Sequence, residues 1–290
     1  MKPSFAIVGC GRVGTAFALY LCKLGYPLAG VACRTIDSAK TLATLVNSLH
    51  FSDSPLEITG QADVVFITTP DGVIEGVCET ISEKNGFKEK AVVLHSSGAL
   101  PSTILSSARR CGAYIGSLHP LQSFASKSFD KSPFSGIITD IEGDGPAVNM
   151  AIQIATDLGA SSLPIKTEAK TLFHASAVVA SNYLVSVLDL AFRLIGEAGV
   201  SQKEAWKVLQ PLVNGTLNNV GSVGIPEALT GPIARGDVET VARHLHHMKE
   251  KVPELVPLYN ALGLHTIQVA LAKGTLKDAP AAALTKILIP

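Results

Sequence analysis

The chain has 290 residues, which suits two domains of ordinary size better than one closed core. Lys plus Arg and Asp plus Glu number 24 each, so the net charge is zero and no long-range field draws nucleic acid or an anionic membrane. Hydrophobic residues make up 47% and charged residues 17%, a balance met either by a well-filled core or by an apolar surface covered in a homodimer, which is the expectation taken here.

Five cysteines, Cys10, Cys22, Cys33, Cys78 and Cys111, show neither CxxC nor zinc spacing. They are read as reduced core thiols, and no metal is expected. The N-terminus enters a strand directly, with no signal-peptide pattern. The most apolar long stretch, Ala175 to Leu188, is bounded by His174 and Asp189 and is short for a membrane span. Together these features predict a soluble, cytoplasmic protein whose partner is a small-molecule substrate.

In chain order, the apolar run Phe5-Ala6-Ile7-Val8 has strand character and passes into Gly9-Cys10-Gly11-Arg12-Val13-Gly14, then into an amphipathic segment from Thr15 to Leu24. A GxGxxG between strand and helix is the dinucleotide fingerprint. Its first glycine permits the turn, the second lets backbone approach a pyrophosphate, and the third allows close helix packing, with phosphate at the helix N-terminus. A second strand, Leu28 to Cys33, ends at Arg34, where an NAD-selective site would place an acidic residue. Arg34, followed by Thr35, offers a planar fork for a 2'-phosphate and so favours NADP. The alternative is a solvated Arg34, with Asp37 taking the ribose.

Asp63 to Thr68 is a buried strand ending in Thr69-Pro70-Asp71, and a helix to about Glu83 follows. Ala91 to Leu94 ends in His95-Ser96-Ser97-Gly98, and Tyr114 to Ser117 ends in His119-Pro120. The segment Ile137 to Thr139, a helix over Pro146 to Leu158 and a strand over Ser161 to Ile165 complete the sheet. Strands alternating with helices predict an α/β doubly wound parallel Rossmann sheet. Ligands of such sheets sit beyond the carboxyl ends of the strands. Asp71, His95, Ser96, Ser97 and His119 are therefore expected around one crevice, either as catalytic and binding groups or as packing and capping residues.

Beyond Lys166 the pattern becomes helical throughout, which predicts a dinucleotide-binding domain over 1–166 and an all-α substrate and dimerisation domain over 167–290. A long helix from about Thr167 to Ala198 would be the spine of the second domain. At about 100° per residue, Lys170, His174 and Ser181 fall within about 40° of one another, with Asn182 roughly 80° from His174. These polar residues on an apolar helix serve either substrate or interhelical hydrogen bonds. Further helices are expected over Ser201 to Asn219, Gly236 to Lys251, Pro253 to Lys273 and from Pro280. In the loop Thr230 to Asp237, Arg235 could clamp an anion or form a surface ion pair, and Asp237 fits an N-cap. His244, His246 and His247 lack ligand spacing and read as a solvated face.

On Gly9 to Gly14, Thr69-Pro70-Asp71, His95-Ser96-Ser97-Gly98, Gly116 to Leu121, His174 through Leu184 and Thr230 to Asp237, the chain resembles a bacterial family of Rossmann-like proteins. The C-terminal half of that family is a domain of unknown function. More distantly, the plan is similar to NADP-dependent pyrroline-carboxylate reductases, deazaflavin-dependent NADP reductases and 6-phosphogluconate dehydrogenases. In the last group a helix lysine is followed four residues later by asparagine, whereas Lys170 is followed by His174. His119-Pro120-Leu121 also resembles the His-Pro-Met of prephenate dehydrogenases. The resemblance implies an NADP(H)-dependent oxidoreductase. The residues point the same way, toward hydride transfer involving a small, anionic carbonyl or imine. A redox-silent NADP-binding sensor or scaffold and a prephenate-dehydrogenase-like enzyme are the alternatives. In the enzyme reading Gly9, Gly11, Arg12, Val13, Gly14, Arg34, Thr35, Thr69, Pro70 and Asp71 hold NADP. His174 is the first choice of general acid, with His95 and His119 facing it. Asn182 orients substrate, Ser96 fixes the carbonyl, Ser97 and Ser181 line the substrate, and Arg235 holds an anionic tail.

Overall fold

The computed structural model describes residues 1–124 and 131–289. These form two compact units, Met1–Ala180 and Ser181–Pro290. The first is built on an eight-stranded sheet of β1 (Phe5–Val8), β2 (Leu28–Ala32), β3 (Phe51–Ser52), β4 (Val64–Ile67), β5 (Val92–His95), β6 (Tyr114–Pro120), β7 (Ile138–Gly143) and β8 (Ser161–Pro164). The strand order is β3-β2-β1-β4-β5-β6-β7-β8. The chain winds outward from β1 to β3 and then returns to start again at β4, so β1 and β4 lie side by side at the switch point. Neighbouring strands run parallel except β6 and β7, which are antiparallel.

The short apolar strands are buried on both faces, as the alternation of their side chains requires. Phe5, Ile7, Val64, Phe66, Val92 and Leu94 enter one core cluster. Ala6, Val8, Val65, Ile67 and Val93 enter the cluster on the opposite face. In the first cluster Phe17, from the helix α1 (Arg12–Lys23), stacks on Phe66 with ring centroids 4.8 Å apart and meets Phe134 at 4.9 Å.

The second unit is helical, with main helices Leu184–Glu197, Gln202–Val223, Val238–Lys251, Val256–Lys273 and Asp278–Leu288. Val241, Ile267, Leu284 and Leu288 form its principal core. Gly263 lets Leu288 approach, since a Cβ there would lie 2.9 Å from the leucine Cδ1. Asp237 caps its helix as expected, accepting from the Thr240 amide at 3.0 Å. His244 is exposed, as expected of it, and its Nδ1 lies 2.9 Å from the Tyr259 hydroxyl, beside a cavity of about 630 Å³ that is also lined by Leu190, Ile233 and Met248. His246 and His247 remain exposed.

The spine helix is neither uniform nor short. It runs through Lys170–Val178, a π-helical turn Val179–Tyr183 and Leu184–Glu197. A π turn bonds i to i+5 and so breaks the regular 100° progression on which the angular placement of Ser181 and Asn182 was based. The full segment Thr167–Glu197 spans 31 residues and, like Pro253–Lys273, is long and apolar enough to cross a bilayer by length and composition. Counting only the uninterrupted apolar run, Ala175 to Leu188, underestimated it. Residues 167–180 belong to the compact unit that contains the sheet, whereas the sequence pattern begins its helical half at 167.

The reason lies at Lys170. The antiparallel register of β6 and β7 sets Ser117 opposite Glu142 and His119 opposite Asp140. The Lys170 ammonium, fully buried, donates to Ser117 Oγ at 2.5 Å and to Asp140 Oδ2 at 2.6 Å. Glu142 is occupied separately, accepting from the Ser102 amide and hydroxyl at 2.7 Å and from Thr167 Oγ1 at 2.8 Å. These polar contacts tie the segment 167–170 to the sheet. Burial alone would raise the Asp140 pKa, but the His119 hydrogen bond and the Lys170 charge outweigh it and hold the carboxyl below the ordinary range.

Removing one member of a buried ion pair strands the other, at a cost of about 3–5 kcal/mol. Lys170→Met should lose about that much in urea unfolding near neutral pH, and pairing it with Asp140→Leu should recover most of the loss. Because the folded-state pKa of Asp140 is depressed, its contribution is complete above the ordinary carboxylate value and is lost as pH falls through the folded value. The deficit of Lys170→Met should therefore shrink in acid; a deficit independent of pH would contradict the ion-pair account.

Candidate active site

The glycine loop joins β1 to α1 at the switch point. Gly9 has φ +110°, and a Cβ on it would lie 2.8 Å from the Thr68 carbonyl carbon and the Thr69 nitrogen. Gly14 is closed in by the Gly9 carbonyl and the Thr68 hydroxyl, where a Cβ would overlap both. Thr68 secures this contact by donating from Oγ1 to the Gly9 carbonyl at 2.7 Å. Gly11 differs, since the nearest atom to a Cβ there is the Thr68 carbonyl oxygen at 3.8 Å. Two glycines are thus required by packing, and the middle one leaves space above the backbone. Gly11 caps α1 without a side-chain hydrogen bond, and the first turn holds no acidic residue. The first amides, beginning with Arg12 and Val13, are available to an anion. This cradle fits a pyrophosphate.

Arg34 follows β2 and is exposed; among the described residues no ion pair or hydrogen bond engages its guanidinium. Thr35 Oγ1 donates to Ser38 Oγ at 2.9 Å. Asp37 lies in the first turn of the helix Ile36–Leu45, where a carboxylate already has a structural use. Arg12 donates to the Phe124 carbonyl at 3.2 Å. At the end of β4, Thr69 Oγ1 is buried without a partner. Pro70 and Asp71 begin the helix Asp71–Glu83, with Asp71 exposed in its first turn.

His95 ends β5 and is fully buried. Its Nδ1 accepts from the Ser97 amide at 3.1 Å, which leaves the ring proton on Nε2, an atom with no hydrogen bond of ordinary geometry. Burial first, and then the Lys170 ammonium, push its pKa down to about 3, against a smaller upward pull from the Pro101 carbonyl. The ring is therefore neutral at physiological pH. Ser97 Oγ accepts from the Ala99 and Leu100 amides at 3.2 and 3.1 Å and so shapes the turn. Ser96 Oγ is buried and unpaired.

His119 lies inside β6, not beyond the strand end, and its Nδ1 sits 2.6 Å from Asp140 Oδ1. Since Asp140 is ionised, Nδ1 carries the proton and donates, and Nε2 is left facing away from the carboxylate. Lys170 and His174, four residues apart on one helix, share a face as their spacing predicts. The rings of His119 and His174 meet edge-to-face, 5.8 Å between centroids. Gly98 makes room for both: a Cβ there would lie 2.8 Å from His119 Nε2 and collide with His174 Nδ1. That His174 Nδ1 is buried and unpaired.

Of the residues singled out from sequence, His95, Ser96, His119 and His174 therefore come together in the first unit. Ser181, Asn182 and Arg235 lie in the second unit, exposed. Asp140 and Ser117, with Lys170 as their ligand, were missed. The available signal was two acidic residues spaced two apart in an otherwise apolar run, Ile138-Thr139-Asp140-Ile141-Glu142, but their partners depend on a strand register no local pattern gives. Cys10 and Cys33 were also missed as a pair; they are joined by a disulfide, because the loop after β1 returns against the end of β2. Among the described residues no group of three or more potential metal ligands is present.

Residues 2–120 match the model of a Rossmann-like domain, and residues 137–266 match the domain of unknown function DUF2520. No curated protein matches the sequence. Among solved structures, a candidate NADP oxidoreductase from Bacteroides fragilis is similar at 23% identity and a TM-score of 0.73, over 92% of this chain and 98% of that one. Protein TM1727 from Thermotoga maritima is similar at 26% identity and a TM-score of 0.71, over 93% and 99%. A pyrroline-5-carboxylate reductase from Coxiella burnetii shares the fold at 16% identity and a TM-score of 0.58, over 99% and 97%. The chain thus combines a Rossmann-like domain with a C-terminal DUF2520 domain.

Proposed function

We propose that the protein is an NADP(H)-dependent oxidoreductase acting on a small, anionic carbonyl or imine. The observation that carries this reading is the buried chain from Lys170 through Asp140 to His119, on the sheet edge that also bears the glycine loop. A fold shared with a candidate NADP oxidoreductase and a pyrroline-5-carboxylate reductase supports it. Gly9, Gly11 and Gly14 with the start of α1 would hold the pyrophosphate, Arg34 the 2'-phosphate, and Thr69-Pro70-Asp71 the next strand end. The nucleotide, when bound, supplies or accepts a hydride.

A carbonyl or imine reduced at carbon takes a proton on its heteroatom. His119 is suited to give it: Nε2 releases the proton while Nδ1 keeps its own, and ionised Asp140 offsets the imidazolium charge before transfer. Lys170 holds Asp140 in place and ionised. His95, neutral and with its Nε2 proton held only by a weak contact to the Pro101 carbonyl, would be a hydrogen-bond donor in this scheme. Ser96 and the unpaired Nδ1 of His174 complete the set of polar atoms a substrate could satisfy. The general acid moves from His174, first choice on sequence, to His119, because only His119 has a carboxylate behind it.

The apolar face of the second unit is the basis for a homodimer. Val185, Leu212 and Leu217 are exposed by 67%, 69% and 52%, on two helices of adequate length for a standard interface. Asp189 and the Arg193–Glu254 ion pair on the same unit favour an aqueous setting, with a second copy as the cover.

Three outcomes are expected. Titration should show NADPH binding more tightly than NADH, with Arg34→Ala losing a charge-assisted contact of about 1.5–3 kcal/mol for NADPH only; equal affinities in the wild type would refute the cofactor assignment. In a screen of small oxo acids and imines for NADPH oxidation, His119→Asn should lower turnover about a hundredfold or more with NADPH affinity unchanged. Activity retained by His119→Asn but lost by His174→Asn would return the acid role to His174. Binding of NADPH without turnover of any substrate would favour the sensor. Light scattering in detergent-free buffer should give a dimer that Leu212→Lys weakens; a monomer, or aggregation relieved only by detergent, would reject it.

A further inference from the structure

Cys10 and Cys33 flank the two halves of the nucleotide site. Cys10 lies between the first two glycines of the loop, and Cys33 immediately precedes Arg34. Two contacts lay the loop against the end of β2, and a third ties that end to β3. Gly9 donates its amide to the Ala32 carbonyl at 2.8 Å, Cys10 donates its amide to Cys33 Sγ at 2.9 Å, and Cys33 donates to the Ser52 carbonyl at 3.2 Å. The disulfide joins α-carbons 5.8 Å apart across 23 positions of sequence. Cys10 is buried and Cys33 half-buried. Cys33 is the more exposed of the two residues. The other cysteines, Cys22, Cys78 and Cys111, are free, and burial raises the thiol pKa of Cys22 and Cys78.

We propose that Cys10 and Cys33 form a redox-controlled clamp on the nucleotide site, closed by a small-molecule disulfide and opened by two equivalents of a small-molecule thiol. This rests on the NADP reading above. In closing, one protein thiolate attacks the small disulfide and releases one thiol. The second protein thiolate then attacks the mixed disulfide and releases the other. Two protein thiols become one disulfide, and one small disulfide becomes two thiols. The closed form fixes the spacing between the phosphate loop and Arg34 before nucleotide arrives, and ordering a site in advance strengthens binding. In a reducing compartment such a bond is transient and regulatory, whereas a permanent structural link belongs to oxidising ones. Of the free cysteines of the first unit, Cys78 is engaged with Ser107 at 3.1 Å and belongs to the core cluster on the opposite face of the sheet.

The full-length protein is equilibrated with oxidised or reduced glutathione, then divided. One portion is denatured, alkylated and analysed by mass spectrometry. The other is titrated with NADPH by fluorescence. In the oxidised sample three of the five cysteines should alkylate, and the peptides carrying Cys10 and Cys33 should be linked. NADPH should bind about two- to tenfold more tightly to the oxidised than to the reduced protein, the scale of ordering one or two flexible groups. Cys33→Ser and Cys10→Ser should each bind NADPH with a single affinity whatever the redox state. Five alkylated cysteines under oxidising conditions, or a linked pair with equal NADPH affinity in both states, would overturn the clamp and leave the nucleotide site standing. No NADPH binding in either state would overturn both.

Discussion

A charge buried without water requires a partner, and in this protein that requirement fixes the far side of the first unit. Lys170 has no exposed surface, so its ammonium depends on Ser117 and Asp140. Asp140 in turn faces two donors, one on each oxygen, and its position on β7 opposite His119 is possible only because β6 and β7 run antiparallel. A parallel β7 would present its residues in a different register, and the lysine, carboxylate and imidazole would not meet. Replacing such a group by hydrophobic residues is often neutral or stabilising. Its retention here is better understood through what it does for His119 than as a source of stability.

The same economy of contacts explains why much of the fold was legible in the sequence. Phe5 to Val8, Val64 to Ile67 and Val92 to Leu94 are continuous apolar runs because they are covered on both faces, and their length separates them from helices. The glycine loop announced itself by spacing. The positions of Arg34 and His95 were legible because the residue following or ending a strand in an open sheet is placed by the sheet itself, whereas His119, expected beyond its strand, lies inside β6. Lys170 and His174 were legible as one helix face. What stayed hidden depended on contacts distant in sequence. Asp140 looked like a polar interruption that shortened its strand, and β7 was expected to end at Thr139 when it continues to Gly143. β3 has two residues, too few for any periodicity. The π turn at Val179–Tyr183 breaks a pattern that a helical wheel assumes to be unbroken.

Glycine does two different jobs in the site, and both concern distance. At Gly9 and Gly14 it lets backbone meet backbone and α1 settle on the sheet; at Gly98 it lets two imidazoles share a space that a methyl group would fill. The His95-Ser96-Ser97-Gly98 segment therefore acts as a unit. Ser97 bends the chain by accepting two amides, the bend keeps Gly98 under the rings, and His95 takes the Ser97 amide on Nδ1. Each of these bonds uses a polar group that would otherwise be available to ligand. Ser96 Oγ, His95 Nε2, His174 Nδ1 and Thr69 Oγ1 are left over.

Among the described residues six buried side-chain polar atoms have no partner, and each forgoes a hydrogen bond that water would have supplied; Ser162 Oγ on β8 and Asn260 Oδ1 in the second unit lie elsewhere, and the other four lie around the candidate site. A core built only for stability would replace them with apolar groups. Three of the four belong to His95, Ser96 and His174, around the His119–Asp140 pair, and the fourth stands at the end of β4 beside the glycine loop. The histidines are also differentiated by their surroundings. Burial and the lysine charge keep His95 neutral, whereas His119 alone has an ionised carboxylate on its far nitrogen. Under the proposed reading, two imidazoles with opposed environments would divide the work between a neutral donor and a proton carrier, as a reduction at a carbonyl or imine requires.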